Sequence, residues 1–179
     1  AELDLHATTV RYDPAELRAR LYDTAAILLA AGIDPERAIF FRQGDVLEHS
    51  ELAWLLSSVT SFGDLNRMHQ FKEKSGAQRD LASAGLFTYP VLMAADVLAY
   101  RATEVPVGHD QVQHVELMRE IARRFNERFG ETLVVPEFRI PEIGARIMDL
   151  QEPERKMSTT GGTEAGTVLV LDEPAAIRK

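Results

Sequence analysis

Asp96 is the one charged side chain in the run Thr88-Tyr89-Pro90-Val91-Leu92-Met93-Ala94-Ala95-Asp96-Val97-Leu98-Ala99-Tyr100. A carboxylate in such apolar surroundings is costly unless a hydrogen-bond donor or a cation meets it. The partner can be a structural amide, such as a main-chain N–H of a neighbouring loop, or a ligand, and the residue alone leaves both open. Two later motifs bear on the choice. Gly108-His109-Asp110-Gln111 falls where a β-favouring stretch meets a long helical pattern, and in open α/β sheets such junctions are where ligands bind. Gly108 would let a ligand approach the backbone. Asp110 could accept from ribose hydroxyls, and Gln111 could present an amide to a small substrate. A loop glycine followed by an ordinary helix cap is the simpler account of the tetrapeptide read alone. Lys156-Met157-Ser158 precedes the small, polar stretch 159–166. Lys156 could neutralise charge developing in phosphoryl or nucleotidyl transfer, with the loop closing over a nucleotide. A surface lysine in a solvated turn accounts for the tripeptide by itself.

Other chemistries find less support. His109 and His114 are five residues apart, well off a common helix face, and no His-Glu-x-x-His or carboxylate cluster occurs at ligand spacing, so no metal site is expected. Gly161-Gly162 belongs to no phosphate-binding fingerprint. Lys72, Lys74 and Arg79 form the one local basic cluster, either a solvated loop or a phosphate contact. Trp54 and Met68 fall in helical patterns and read as core.

The elements that must position these residues belong to a chain of 179 residues, enough for one domain with a sizeable core. Hydrophobic residues make up 45% and charged residues 27%, the balance of a globular protein. No apolar run reaches membrane-spanning length, and these residues hold no basic-then-apolar stretch, so secretion is not the expectation. The absence of cysteine excludes disulfides and thiolate metal sites. A cytoplasmic protein without a membrane partner is the expectation. The net charge of −8 argues against attraction of the whole domain to nucleic acid. The chain opens on Ala1 without an initiator Met, which reads as a piece of something longer.

Asp13-Pro14-Ala15-Glu16 is a helix start, with an acid cap, proline in the first turn and Glu at the third position; that helix should stop at Gly32. Arg37 to Arg42 reads as a buried strand. Asp45 and Glu48 have capping-box spacing before a helix with Leu52, Leu55, Leu56 and Val59. Gly63 marks a break, Asp64 to Lys72 looks helical, and Pro90 is expected to start the helix that holds Asp96. Thr103 to Val107 favours a strand. From Asp110 to Phe129 runs the clearest helix, with Val115, Met118, Ala122, Phe125 and Phe129 as its stripe and Asp110 and Gln113 as its capping pair. Leu133–Val135 and Phe138–Ile140 are candidate short strands, and Val168–Leu171 reads as a short strand or extended segment. Strands alternating with helices give an α/β layer with a mostly parallel sheet.

Taken together, the motifs resemble the catalytic domain of the bacterial tryptophanyl-tRNA synthetases, which are class I aminoacyl-tRNA synthetases. The likeness covers nearly the whole chain in collinear order. It runs through Asp4-Leu5-His6-Ala7, Glu48-His49-Ser50-Glu51-Leu52-Ala53-Trp54, Met68-His69-Gln70-Phe71-Lys72-Glu73-Lys74-Ser75 and Gly85-Leu86-Phe87-Thr88-Tyr89-Pro90. It continues through Met93-Ala94-Ala95-Asp96, Val105-Pro106-Val107-Gly108-His109-Asp110-Gln111, Gln113-His114-Val115-Glu116-Leu117, Arg124-Phe125-Asn126 and Gly144-Ala145-Arg146-Ile147-Met148. Related tyrosine enzymes share the G-x-D-Q and K-M-S-type motifs. The apolar surround of Met93, Val105 and Val107 looks more like the tryptophan branch, because an indole offers a single strong donor, its N–H.

The resemblance implies a Rossmann-like class I catalytic domain with a mostly parallel sheet. It implies ATP-dependent activation of tryptophan to tryptophanyl-adenylate and transfer to tRNA(Trp). ATP is a substrate and Mg²⁺ is carried with it. Asp96 would accept the indole N–H; Met93, Val97, Val105 and Val107 would line the ring; Gln111 and His6 would help fix the amino acid. Gly108 and Asp110 would hold the ribose, Ile147 and Met157 would border the adenine, and Ser158 completes the nucleotide-binding motif. Lys74 and Lys156 would face the phosphates as the catalytic cations. A homodimer is implied too. Two departures stand out. Thr159 and Thr160 occupy the last two positions of the family's K-M-S-K-S motif. The family's first strand–loop–helix unit, with its H-I-G-H-type signature, would lie upstream of Ala1, and its anticodon-binding domain is not within these residues. The expectation is therefore a single partial catalytic domain over 1–179, with a non-catalytic tryptophan-binding module or structural fragment as the alternative.

Overall fold

Local signals set the first long helix. Helix α2, Pro14–Ala30, follows α1, Asp4–Ala7, and the Asp13 carboxylate caps it by accepting from the N–H groups of Ala15 and Glu16, both at 2.9 Å. It ends before Gly32, whose φ of +107° is the left-handed conformation that glycine adopts without strain. This computed structural model describes residues 2–69, 83–142, 146–158 and 165–178.

Helices α3, Glu48–Ser57, α4, Phe62–Arg67, α5, Ala84–Leu98, and α6, Val112–Phe129, supply the core. Leu56, Leu65, Leu86, Ala94, Met118 and Ile121 are among its buried members. Helix α3 packs against α5. Helix α5 begins at Ala84, capped by Ser83, whose Oγ accepts from the Leu86 N–H at 3.0 Å. Pro90 therefore lies inside the helix rather than at its start. A proline there forfeits one backbone hydrogen bond, but Leu86, Pro90, Ala94 and Leu98 bury one continuous face, and that packing keeps the helix whole.

Strands β1, Glu104–Pro106, and β2, Glu137–Arg139, pair with each other. The Glu137 N–H donates to the Thr103 carbonyl and the Val107 N–H to the Arg139 carbonyl, both at 2.9 Å. These bonds advance in the same direction along both strands, so the pair is parallel, with α6 as the crossover between them. This βαβ unit is the α/β alternation that the sequence predicts. A last short helix, α7, covers Pro174–Ile177.

Several expectations need correction. Arg37 to Arg42 forms no strand; among the described residues its one ladder contact is a parallel bridge between Glu2 and Arg42. Leu133–Val135 forms none either, although Leu133 and Val135 pack against the core. Val168–Leu171 forms no strand, and a turn is closed there by the Asp172 N–H, which donates to the Leu169 carbonyl at 3.1 Å. Asp45 does not cap α3 but pairs with Arg42, and α3 has no side-chain cap. Gly63 sits in the first turn of α4, capped by Ser61, and α4 ends at Arg67. Asp110 lies in a 3-10 turn, His109–Gln111, that precedes α6. Gln113 takes the His69 N–H on its side-chain carbonyl instead. Met68 is buried as expected, but Trp54 is 79% exposed. On α3 the buried face runs through His49, Ala53 and Leu56, which leaves Trp54 on the opposite side.

By contacts the chain divides into two compact units. The first comprises Ala1–Val105 and Gln113–Phe138, the second Pro106–Val112 and Arg139–Lys179.

Candidate functional site

In the first unit Asp96 has partners that its own sequence neighbourhood does not reveal. Its Oδ1 accepts from His49 Nδ1 at 2.5 Å and from Gln43 Nε2 at 2.6 Å; its Oδ2 accepts from His6 Nε2 at 2.9 Å. His6 comes from α1, Gln43 from a 3-10 turn, Gln43–Asp45, and His49 from α3. Gln43 and His49 are fully buried, and 12% of the Asp96 side chain is exposed. Burial alone would push the Asp96 pKa up, but hydrogen bonds from His6, His49 and Gln43 outweigh it and hold the carboxyl below the ordinary range. Asp96 is thus an anion with three side-chain donors. A carboxylate offers about four acceptor positions, so one remains on Oδ2.

Met93 and Val97 stand on α5 within a turn of Asp96, partly buried, and Val105 is the half-buried residue of β1. The expected apolar setting of Asp96 is therefore present on α5. Tyr89, one turn before Met93, sets its hydroxyl 2.8 Å from His114 Nε2 and its ring edge-on to His6 at 6.1 Å. Burial raises the Tyr89 pKa to about 12, so its hydroxyl stays protonated. Sequence reasoning passed over Gln43, His49, Tyr100, whose hydroxyl lies 2.7 Å from His49 Nε2, and the Tyr89–His114 pair as members of this network. The buried polar types at 43 and 49 were a signal, but their convergence on Asp96 spans about fifty residues of sequence.

The second unit holds the nucleotide candidates. Gly108 precedes the 3-10 turn with φ −74° and ψ 164°, an extended conformation open to any residue. Asp110 Oδ2 accepts from Lys156 Nζ at 3.0 Å and from the Gln111 side-chain amide at 3.1 Å. Those two bonds hold the Asp110 pKa below the ordinary range. Met157 donates its backbone N–H to the Ile147 carbonyl at 2.9 Å, and Met148 and Lys156 form an antiparallel bridge. Met157 and Ser158 are partly buried, whereas Ile147 is exposed. Thr167 donates its hydroxyl to the Ser158 carbonyl at 3.0 Å. Half-buried Val107 pairs with β2 through its N–H. Lys74, the other expected phosphate cation, lies outside the described residues, as do Lys72, Arg79 and the loop residues 159–164.

Asp149 and Gly166 were also missed. Asp149 is buried, and its Oδ1 accepts from the N–H groups of Gln151 and Glu152 at 2.9 and 3.1 Å. Gly166 packs onto that carboxylate so closely that a Cβ there would stand 2.0 Å from Oδ1. The Leu150 N–H donates to the Gly166 carbonyl at 3.0 Å. The backbone on either side of the Lys-Met-Ser motif is thereby joined, and glycine is required by this close approach.

The family model for tRNA synthetases class I (W and Y) matches residues 3–179. The chain is 56% identical over 178 residues to the Tryptophan--tRNA ligase 2 of Streptomyces avermitilis, across 99% of this chain and 53% of that protein. It is 50% identical over 177 residues to the Tryptophan--tRNA ligase of Clostridium perfringens, across 99% and 53%. Among solved structures it resembles tryptophanyl-tRNA synthetase from Mycoplasma pneumoniae, with TM-score 0.89, 39% identity and coverage of 98% of this chain and 52% of that one. It resembles the Campylobacter jejuni enzyme, complexed with ADP and tryptophan, with TM-score 0.82, 39% identity and coverage of 96% and 52%. The chain spans about half the length of the curated relatives it matches.

Proposed function

The chain belongs to the class I tRNA synthetases of the W and Y family, and on that premise we propose that it serves a tryptophan–tRNA ligase. Its fold is the Rossmann-like α/β fold of that class. In the proposed reaction the carboxylate of tryptophan attacks the α-phosphate of ATP. The bond to the β-phosphate breaks, giving tryptophanyl-adenylate and pyrophosphate. A ribose hydroxyl of tRNA(Trp) then takes the tryptophanyl group and AMP leaves. No protein nucleophile is needed, because positioning and charge stabilisation carry such a step. Mg²⁺ enters with ATP as part of the substrate.

The observation that carries this reading is Asp96, a desolvated anion on an apolar helix with one acceptor position left after His6, His49 and Gln43 have bonded. That is the complement of a large apolar ring with one N–H. Met93, Val97 and Val105 are assigned to the ring in the first unit, and His6 to holding Asp96 and the amino acid. Val107 and Gln111 are assigned to the amino acid on the likeness of their motif. In the second unit Gly108 and Asp110 are assigned to the ribose, Ile147 and Met157 to the adenine, and Ser158 to the nucleotide. Lys156 would exchange Asp110 for phosphate oxygens as charge develops, with Lys74 as its companion.

We further propose a homodimer, supported by the exposure of Leu47, Trp54, Leu55 and Phe62 near one another in sequence on and beside α3 and α4. Among the described residues no helix is long and apolar enough to cross a membrane, and the proposed compartment is the cytoplasm. ATP–pyrophosphate exchange by the full-length protein tests the reading. Exchange should depend on tryptophan; exchange driven by tyrosine instead would overturn it.

A further inference from the structure

Recognition of one ring N–H demands a carboxylate that cannot rotate, and α3 supplies the residue placed to prevent rotation. Asp96 lies in the last turn of α5, and Tyr100 follows two residues past its end at Leu98, its N–H donating to the Val97 carbonyl at 3.2 Å. The His49 ring lies against both. Its Nδ1 is 2.5 Å from Asp96 Oδ1 and its Nε2 is 2.7 Å from Tyr100 Oη. Phe41 closes the ring in, with centroids 6.0 Å apart in an edge-to-face arrangement, and His49 is 1% exposed. An ionised carboxylate can only accept, so Nδ1 carries the proton. In the neutral ring Nε2 is then the acceptor, and the Tyr100 hydroxyl donates into it. Gln43 takes the second position on Oδ1.

We infer that His49 is a positioning residue for substrate recognition. Held at both nitrogens between Asp96 and Tyr100, it saturates Oδ1 together with Gln43 and so presents the remaining Oδ2 acceptor to a ring N–H of the amino acid. Tyr100 acts behind it by fixing the tautomer. The inference rests on the reading of Asp96 as the indole acceptor and extends it to two residues that touch no substrate.

The test measures the affinities of the full-length protein for tryptophan and for β-(3-benzothienyl)alanine, which carries sulfur where indole has its N–H. The wild-type protein should prefer tryptophan. In His49→Leu that preference should shrink by about tenfold, with affinity for the sulfur analogue nearly unchanged. His49→Asn, whose amide stands near the place of Nδ1, should restore most of it. Tyr100→Phe should lose about threefold of the preference, a smaller effect because Asp96 keeps its donor. An unchanged preference in His49→Leu, or equal loss of both ligands, overturns the inference. Should His49→Leu fail to give a cooperative melt, the Asn and Phe variants decide: a preference lost with Asn, or untouched by Phe, also overturns it. A wild-type protein indifferent to the N–H removes the Asp96 reading itself, and the inference with it.

Discussion

At Asp96 burial and hydrogen bonding oppose one another, and hydrogen bonding wins. A carboxyl whose folded pKa lies below its unfolded value binds protons less readily when folded. Its contribution to stability is then complete above the unfolded value, about pH 4, and is lost as pH falls through the lowered folded value. Asp96→Asn should therefore lower the urea midpoint at neutral pH and flatten its decline in acid. An undiminished acid slope in the variant would assign that decline to another carboxyl. Lys156 is the contrasting case. It and Asp110 are each about half exposed, 52% and 49%, and such a pair is worth about 0–1 kcal/mol. Lys156→Ala should barely move the melting temperature. Pyrophosphate exchange should nevertheless slow by about a hundredfold, the loss typical of one transition-state charge contact. A variant whose change is confined to the apparent tryptophan constant would contradict that role.

Among the elements, the turn after α6 depends on one side chain. Asn126 is buried, and its Oδ1 accepts from the N–H groups of Thr132 and Leu133 while its Nδ2 donates to the Leu133 carbonyl. That turn leads into β2, which pairs with β1. Asn126→Ala leaves buried backbone groups without partners, so chemical denaturation should show a loss of about 1–3 kcal/mol. Asn126→Asp keeps the acceptor but turns a second carboxylate oxygen toward the Leu133 carbonyl and Glu131, so it should not recover the loss. The Asp149–Gly166 contact makes a second element-level demand. Gly166→Ala would drive a methyl into the carboxylate, so the Lys-Met-Ser segment should exchange its amide hydrogens faster in the variant. Unaltered exchange there would mean that the loop base absorbs the methyl without opening.

For the whole molecule, the relevant surface is apolar. Trp54, Leu47 and Phe62 are each more than two-thirds exposed, and patches of large apolar side chains mark interaction surfaces. With the proposed homodimer, Trp54→Glu should shift sedimentation of the full-length protein toward the monomer. The fold of the first unit should survive, because Trp54 is outside the buried core. A variant that sediments as the wild type does would place the dimer contact elsewhere.

What the sequence by itself determined was local or collinear. Asp13 and Pro14 specified the start of α2 because a cap is made within three residues. The spacing of Val115, Met118, Ala122 and Phe125 specified the core-facing stripe of α6, although the predicted last member, Phe129, is 53% exposed at the helix end, and the ordered motifs specified the family. Tertiary structure decided the rest. Pro90 read as a helix start because proline loses no bond there, but buried neighbours a turn away on each side keep the helix intact. Trp54 sits in the apolar run Leu52-Ala53-Trp54-Leu55-Leu56, where no periodicity can choose a face; packing of α3 on α5 chose it. Ile39-Phe40-Phe41 has strand composition, but a strand exists only if a partner lies beside it, and Ile39 is 91% exposed. Asp96 announced that it needed a partner. Which partners it would find depended on the chain bringing His6, Gln43 and His49 together across more than forty residues of separation, and long-range convergence of that kind leaves no local signal.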